Sequence, residues 1–419
     1  MRFNRLQEWL DWQQTLHPST IDLGLERSAQ VWANLQKNFE STVVISIAGT
    51  NGKGSCAAML ESIYQAAGYQ VGCYSSPHLL SYNERIRINA VNIDDDALCH
   101  AFSAVDEARG DISLSYFEFG TLAALYHFSQ AQLDVIILEV GLGGRLDAVN
   151  IIDADVALIT SIDLDHQQWL GSDRESIGFE KAGILRSQQA AVYAEPNPPA
   201  SVIEHANQLH TQLYTFQQDY DWQKTADSWK WLGPAKKSRY GLPYPSLRGD
   251  KQIQNAAAVV MVTELISDEL PVTQADLKQG LGNVSLAGRF QIIPGQPAVL
   301  LDVAHNPHAI AALTENLRLY QCRGQLRAVF SMLNDKDLPA VISQLKPFVS
   351  KWYIAELKDE RAYKNVQMEQ ALKDESVEKV SIHASIGAAF NAARSDSLDL
   401  DCILVCGSFF TVAEVMSQI

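Results

Sequence analysis

The stretch Ile45-Ser-Ile-Ala-Gly-Thr-Asn-Gly-Lys-Gly-Ser55 constrains this chain more than any other. Residues 42–47 are β-branched enough to predict a buried strand, and Cys56-Ala-Ala-Met-Leu60 reads as the first turns of a helix. Strand, glycine turn and helix in that order aim backbone N–H groups and a helix N-terminus at one point, where an anion is stabilised. Gly49, Gly52 and Gly54 let a phosphate approach the main chain, Lys53 reaches its outer oxygens, and Ser55 offers a hydroxyl to Mg²⁺. The spacing is tighter than G-x-x-x-x-G-K-[ST], because Gly49 precedes Gly52 by only three positions. Taken alone, the same residues also fit a glycine-rich turn with a solvated lysine.

A length of 419 residues leads to an expectation of two domains, and 47% hydrophobic with 20% charged residues suits a globular chain with large cores. The formal charge of −16 argues against nucleic acid or an anionic membrane surface as a general partner, so an anionic substrate must meet local cationic clusters. No apolar run approaches the roughly 20 residues that span a bilayer. The segment Met1-Arg-Phe-Asn-Arg-Leu-Gln-Glu-Trp-Leu10 is amphipathic and carries an acid, unlike a secretory signal. Cys56, Cys73, Cys99, Cys322, Cys402 and Cys406 include no C-x-x-C pair, which points to reduced, mostly buried thiols and a cytoplasmic location.

Periodicity predicts two packing helices before the glycine loop, around Phe3, Leu6, Trp9 and Leu10 and around Ala29, Trp32 and Ala33. Beyond the loop, strands are expected at residues 70–74, 135–140 and 156–160, with helices around 98–105 and 116–127. The last two strands are uninterrupted apolar runs, as in a parallel sheet covered on both faces, and their alternation with helices implies right-handed βαβ units. Residues 219–248 change texture, with Trp222, Trp229, Trp231, Tyr240 and Tyr244 suggesting a small antiparallel elaboration. Helices resume at 254–266 and 273–281. Residues 288–297, rich in glycine and proline, read as a linker between a domain at 1–287 and a smaller one at 298–419. The second domain holds its own α/β series, with strands at 299–302, 328–330, 352–354 and 402–405.

Polar residues at the ends of parallel strands are where open sheets bind ligands. Glu139, between an apolar run and Val-Gly-Leu-Gly-Gly144, is costly to bury unless it meets a cation. His166, in Asp163-Leu-Asp-His166, suits the same metal–phosphate site or, equally, a structural hydrogen bond. Lys181, in Phe179-Glu-Lys-Ala-Gly183, fits a site lysine or a solvated helix face. Ser76, in Ser75-Ser-Pro-His78, fits a ligand or a cap. Asp302-Val-Ala-His-Asn-Pro-His308 gathers polar groups at a strand end and also fits a helix-capping loop, and Arg289 also fits a surface charge.

Together these motifs resemble, in order and over residues 21–410, the folylpolyglutamate synthase and dihydrofolate synthase family of the Mur-ligase superfamily, its bacterial bifunctional members in particular. The motifs are Gly49-Thr-Asn-Gly-Lys-Gly-Ser55, Ser75-Ser-Pro-His78, Glu139-Val-Gly-Leu-Gly-Gly-Arg-Leu-Asp-Ala148, Asp163-Leu-Asp-His166, Phe179-Glu-Lys-Ala-Gly183, Gly288-Arg-Phe290 and Leu301-Asp-Val-Ala-His-Asn-Pro307. The resemblance implies an α/β fold: an N-terminal P-loop ATPase domain like the Mur-ligase central domain, a smaller Rossmann-like C-terminal domain, and an active site between them. It implies that Thr50, Asn51, Gly52 and Lys53 hold ATP phosphates and that Ser76, Glu139 and His166 ligate Mg²⁺. It matches Lys181 to a carbamylated lysine, and Asn255, Arg289 and Asp302, with His305 beside them, to ATP-contacting positions. Ser115, Tyr116, Phe117 and Glu118, with Leu146, Asp147 and Ala148, resemble the pterin-substrate site. The one local departure is Gly120, where the pattern leads to a larger residue.

The implied reaction joins L-glutamate to the carboxylate of dihydropteroate or a reduced folate through an acyl phosphate, with Lys53, His166, Lys181 and Arg289 as its catalytic residues. A monomer is implied. A monofunctional folylpolyglutamate synthase is one alternative. Another Mur-type ligase is a second; those acting on a uridine nucleotide carry an additional N-terminal domain, whereas about 40 residues precede the glycine-loop strand here. A nucleotide-binding switch would not need Lys53, Glu139, His166 and Arg289 together.

Overall fold

The computed structural model describes residues 1–19 and 21–419; Thr20 lies outside it. The described residues divide into two compact units, Met1–Ser246 with Gln252–Val284, and Leu247–Lys251 with Ser285–Ile419.

The first unit is built on eight strands: β1 (Val43–Ala48), β2 (Val71–Tyr74), β3 (Ile86–Ile88), β4 (Val91–Asn92), β5 (Val135–Glu139), β6 (Val156–Ile159), β7 (Ala190–Tyr193) and β8 (Gln212–Thr215). Their order is β4-β3-β2-β5-β1-β6-β7-β8. All pairings from β2 to β8 are parallel, and the β3–β4 hairpin adds an antiparallel edge. β1 lies mid-sheet, with Ile45 opposite Ile137 of β5 and Val156 of β6. All of β5 and β6 is buried, which is why both read as unbroken apolar runs. Ala48, Glu139 and Ile159 therefore end neighbouring strands at one edge of the sheet.

The helix Lys53–Ala66 follows the glycine loop and buries nine of its residues. Helix Gln274–Asn283 packs on it through Gly280, where a Cβ would lie 2.5 Å from Ile63 Cα, so only glycine permits that approach. The expected elaboration is an antiparallel sheet of β9 (Asp221–Lys224), β10 (Trp229–Leu232) and β11 (Ser238–Leu242). Its buried Trp231 donates from Nε1 to Ala257 O at 3.0 Å, satisfying the indole N–H.

The second unit holds β12 (Gln291–Ile293), β13 (Ala298–Leu301), β14 (Leu326–Phe330), β15 (Lys351–Ala355), β16 (Val380–His383) and β17 (Cys402–Cys406), in the order β12-β13-β17-β14-β15-β16. Only β12–β13 is antiparallel. Residues 288–297, expected to be an extended linker, contribute a strand and the turn of an edge hairpin: Ile292 and Ile293 are apolar enough for β12 to pair with β13 although glycine and proline flank them. Among the described residues no helix is long and apolar enough to cross a membrane. The six cysteines are unbridged; all but the half-buried Cys322 are buried.

Candidate active site

The glycine loop leaves β1 and is stapled to the turn that leaves β6. Thr50 N–H donates to Ser161 O at 2.7 Å, and Asn51 N–H to Ser161 Oγ at 3.0 Å. In return, Thr160 Oγ1 donates to Asn51 O at 2.7 Å. Gly49 has φ +152°, and a Cβ there would sit 1.8 Å from Thr160 Oγ1, so the loop can lie against this turn only with glycine. Gly52 has φ +90° and caps helix Lys53–Ala66, and a Cβ there would lie 3.1 Å from Asn255 Oδ1. The structure therefore brings Asn255, 255 − 52 = 203 positions further along the chain, to the loop. Lys53 Nζ folds back to donate to Gly49 O at 2.9 Å, while Ser55 is buried in the helix's first turn.

Lys181, on helix Arg174–Ala182, is 3% exposed, which removes the solvated-face alternative. Burial pushes its ammonium down to about 7; the Lys53 cation adds to the fall, and Asp165 and Asp147 oppose it. Lys181 thus senses the charges of Lys53, Asp147 and Asp165. Asp165 was not singled out in the sequence, and neither were Thr160 and Ser161; a Thr-Ser pair closing an apolar strand was the available signal.

Glu139, the last residue of β5, is 4% exposed, and its Oε2 accepts the Ser76 N–H at 3.2 Å. The Ser76 backbone is thereby held beside the carboxylate. His166 stands in the turn beyond β6 at φ +50° and begins the short helix Gln167–Leu170. Among the described residues, no three His, Cys, Asp or Glu side chains gather into a cage for a metal. The Glu139 carboxylate is of the oxygen-donor class that Mg²⁺ and Mn²⁺ prefer, ions that keep several waters and take phosphate oxygens as further ligands.

The residues matched to a pterin site lie around the N-terminus of helix Tyr116–Ser129. Ser115 and Glu118 form a reciprocal capping box, and Glu118 Oε1 also accepts Arg27 Nε at 3.1 Å. Phe117 packs on Gly141, where a Cβ would lie 2.5 Å from the ring. Asp147 accepts N–H groups from Leu142 (2.8 Å), Val149 (3.0 Å) and Gly141 (3.1 Å). Burial raises its carboxyl to about 6 against the pull of those N–H groups and of Lys53. Between Leu146 and the short helical turn Ala148–Ile151, Asp147 thus shapes the loop that follows Glu139.

The departure at Gly120 has a local cause. A Cβ there would lie 2.2 Å from Tyr82 Oη but 3.5 Å from Tyr82 Cζ, so the glycine makes room for one hydroxyl. That hydroxyl is buried with no hydrogen-bond partner among the described residues. Gly120→Ala is expected to destabilise the fold by about 1–3 kcal/mol despite alanine's better helix propensity. Adding Tyr82→Phe should restore stability, as a double-mutant cycle by denaturant melts would measure.

In the second unit Asp302 follows β13, with Oδ2 accepting Phe290 N–H at 2.9 Å and Oδ1 accepting Ala304 N–H at 2.8 Å. Burial raises its pKa, and the two N–H groups and the Arg289 cation counter the rise. Arg289 lies over the Phe409 ring at 5.3 Å, and the His305 ring stands 6.2 Å from the same ring. Arg289, Asp302 and His305 therefore form one cluster, in which Arg289 is packed rather than free on the surface. Asn306, by contrast, is the helix cap, accepting Ala309 N–H at 2.9 Å.

A glycine loop on a parallel sheet, with a buried carboxylate at the adjacent strand end, has the form of a nucleotide-phosphate site, and the family to which the chain is similar is that of the Mur ligases. The Mur ligase middle domain matches residues 47–263, and the glutamate ligase domain of Mur ligases matches residues 288–409. The dihydrofolate synthase/folylpolyglutamate synthase of Escherichia coli strain K12 is 44% identical over 414 residues, covering 99% of this chain and 95% of its own length. The structure of Escherichia coli FolC in complex with DHPP and ADP superposes with a TM-score of 0.93 at 44% identity, over 99% of this chain and 97% of that one. A bifunctional folylpolyglutamate synthase/dihydrofolate synthase with Mn, AMPPNP and L-glutamate bound gives 0.91 at 44% identity, over 99% and 98%. This chain belongs to the dihydrofolate synthase/folylpolyglutamate synthase family.

Proposed function

We propose that this chain joins L-glutamate to the carboxylate of dihydropteroate, and to that of tetrahydrofolate and its glutamates, while ATP becomes ADP and phosphate. The observation that carries this reading is the strand, glycine loop and helix that present Lys53, with the buried Glu139 ending the neighbouring strand. A carboxylate is a poor electrophile, so amide formation in water needs its oxygen converted to a leaving group. A carboxylate oxygen attacks the γ-phosphorus and ADP leaves; the amine then attacks the acyl carbon, and phosphate departs from a tetrahedral intermediate. Each step crowds negative groups, which fixed cations and positioning must offset.

Lys53, with the loop's N–H groups, supplies charge at the transferred phosphate. Ser76, Glu139 and His166 would hold a divalent cation, which neutralises phosphate charge when bound. Lys181, with an amine near neutrality, is suited to add carbon dioxide, exchanging a proton for a carbamate. That would convert a buried cation into an anion, which the Lys53 cation would stabilise and beside which a divalent ion would supply further positive charge. Asn255, Arg289, Asp302 and His305 serve the nucleotide, and residues 115–118 and 146–148 the pterin. The chain acts as a monomer in the cytoplasm.

Incubation with ATP, Mg²⁺, glutamate and either dihydropteroate or tetrahydrofolate, followed by product mass, tests the reading. Gain of one glutamyl unit on both acceptors is expected. A product from tetrahydrofolate alone would reduce the assignment to a folylpolyglutamate synthase, and ATP hydrolysis with neither product would overturn it.

A further inference from the structure

Two thiols in the second unit lie outside every role described above. Cys322 follows helix Pro307–Tyr320 on the exposed connector into β14. Its Sγ lies 3.6, 3.7 and 3.8 Å from the carbonyl oxygens of Gly324, Gln325 and Leu400. Cys402, buried, opens β17 and donates its N–H to that same Gln325 oxygen at 3.0 Å. Further bonds stitch the connector to residues 400–402: Gly324 N–H to Leu400 O at 2.8 Å, and Gln325 N–H to Asp401 Oδ1 at 2.7 Å. Within this frame Cys322 and Tyr320 pack against the apolar cluster that holds Cys402, and the Cys322 Sγ and the Cys402 N–H meet on the same Gln325 carbonyl oxygen. The remaining cysteines, Cys56, Cys73, Cys99 and Cys406, are buried.

We propose that Cys322 and Cys402 form a dithiol modification site, which hydrogen peroxide closes to a disulfide and a dithiol reductant reopens. Burial, reinforced by Cys322, pushes the Cys402 thiol up to about 12, so Cys402 stays protonated at rest. Half-buried Cys322 is the sulfur a peroxide reaches. Its sulfur attacks one peroxide oxygen, the O–O bond breaks, and water leaves a sulfenic acid behind. The Cys402 sulfur then attacks the Cys322 sulfur. The S–O bond breaks, and hydroxide departs with the Cys402 proton as water. Two thiols and one peroxide become a disulfide and two waters.

The bond would close a loop from residue 322 to residue 402, 402 − 322 = 80 positions, restricting the unfolded chain and raising the melting temperature. It would leave the Asp302 cluster alone. Cys402 pairs with Ala298 at the start of β13, whereas Asp302 N–H donates to Val405 O, about 10 Å further along at roughly 3.3 Å per residue.

Full-length reduced protein, treated with hydrogen peroxide, alkylated and digested, is expected to yield one cross-linked peptide pair containing Cys322 and Cys402. Dithiothreitol should remove it, the melting point should rise by on the order of several degrees, and ligase turnover should stay within twofold. Cys322→Ser should abolish both cross-link and shift, while Cys402→Ala should leave a sulfenic acid at Cys322 that dimedone traps. Oxidation of Cys322 to a sulfinic acid with Cys402 still alkylatable, a cross-link to another cysteine, or no reaction would each overturn the proposal.

Discussion

Lys53→Ala is expected to lower ATP-dependent ligation by about 10²–10³-fold, the usual loss when one preorganised charge is removed from a developing anion. Global stability should change by no more than ~1 kcal/mol, because the lysine is half-buried in the first helical turn. Its bonds to Gly49 O and Thr50 O support the loop but not the core. A second readout separates electrostatics from loop damage. The Lys53 cation depresses the Lys181 pKa, so its removal should move the Lys181 titration upward. That shift is measurable from the pH dependence of lysine-selective labelling at this position. Ligation at wild-type rate, or an unchanged Lys181 titration, would remove Lys53 from the site.

Lys181→Met is expected to abolish ligation and yet stabilise the protein. Methionine fills a similar volume without a buried ionisable group, and the lysine carries an ammonium that burial disfavours. The folded value of about 7 lies below the ordinary 10.5, so the unfolded chain binds the proton more tightly between those pH values. Wild-type stability should therefore rise with pH across that window, and its deficit relative to Lys181→Met should be full below about pH 7. On the order of a few kcal/mol is at stake. Denaturant melts of both proteins in carbon dioxide-free buffer give this difference directly. Bicarbonate should raise wild-type activity as pH passes through 7, where the amine becomes neutral and can form a carbamate. A short carboxylic acid should partly rescue Lys181→Ala. Lys181→Met with wild-type activity would leave Lys181 a packing residue.

The central strand–loop–helix was legible because three glycines and a β-branched run leave few alternatives, and β5 and β6 because both faces are covered. The β3–β4 hairpin was not legible: Ile86, Arg87 and Ile88, then Val91 and Asn92, are too few and too polar to stand out from a loop. Four-residue β7 and β8 gain their apolar faces only through parallel neighbours. Within the site, Lys181 read equally well as solvated or functional, since one lysine on a helix carries no burial signal; its enclosure is a tertiary fact. Asp147 and Glu118 show the converse. Their motif was visible, but not that three loop N–H groups hold one carboxylate while a capping box and Arg27 hold the other. The tight spacing of the glycine loop, odd in isolation, is explained by Thr160 Oγ1, which fills the space beside Gly49.

The central claim is that the substrate carboxylate, not water, takes the γ-phosphoryl group. Dihydropteroate labelled with ¹⁸O in its carboxylate, turned over with unlabelled ATP, glutamate and water, tests it through the mass of the released phosphate. One ¹⁸O per phosphate is predicted, because the oxygen that attacks phosphorus stays with it when the amine displaces the acyl phosphate. Unlabelled phosphate formed in step with amide product would contradict it.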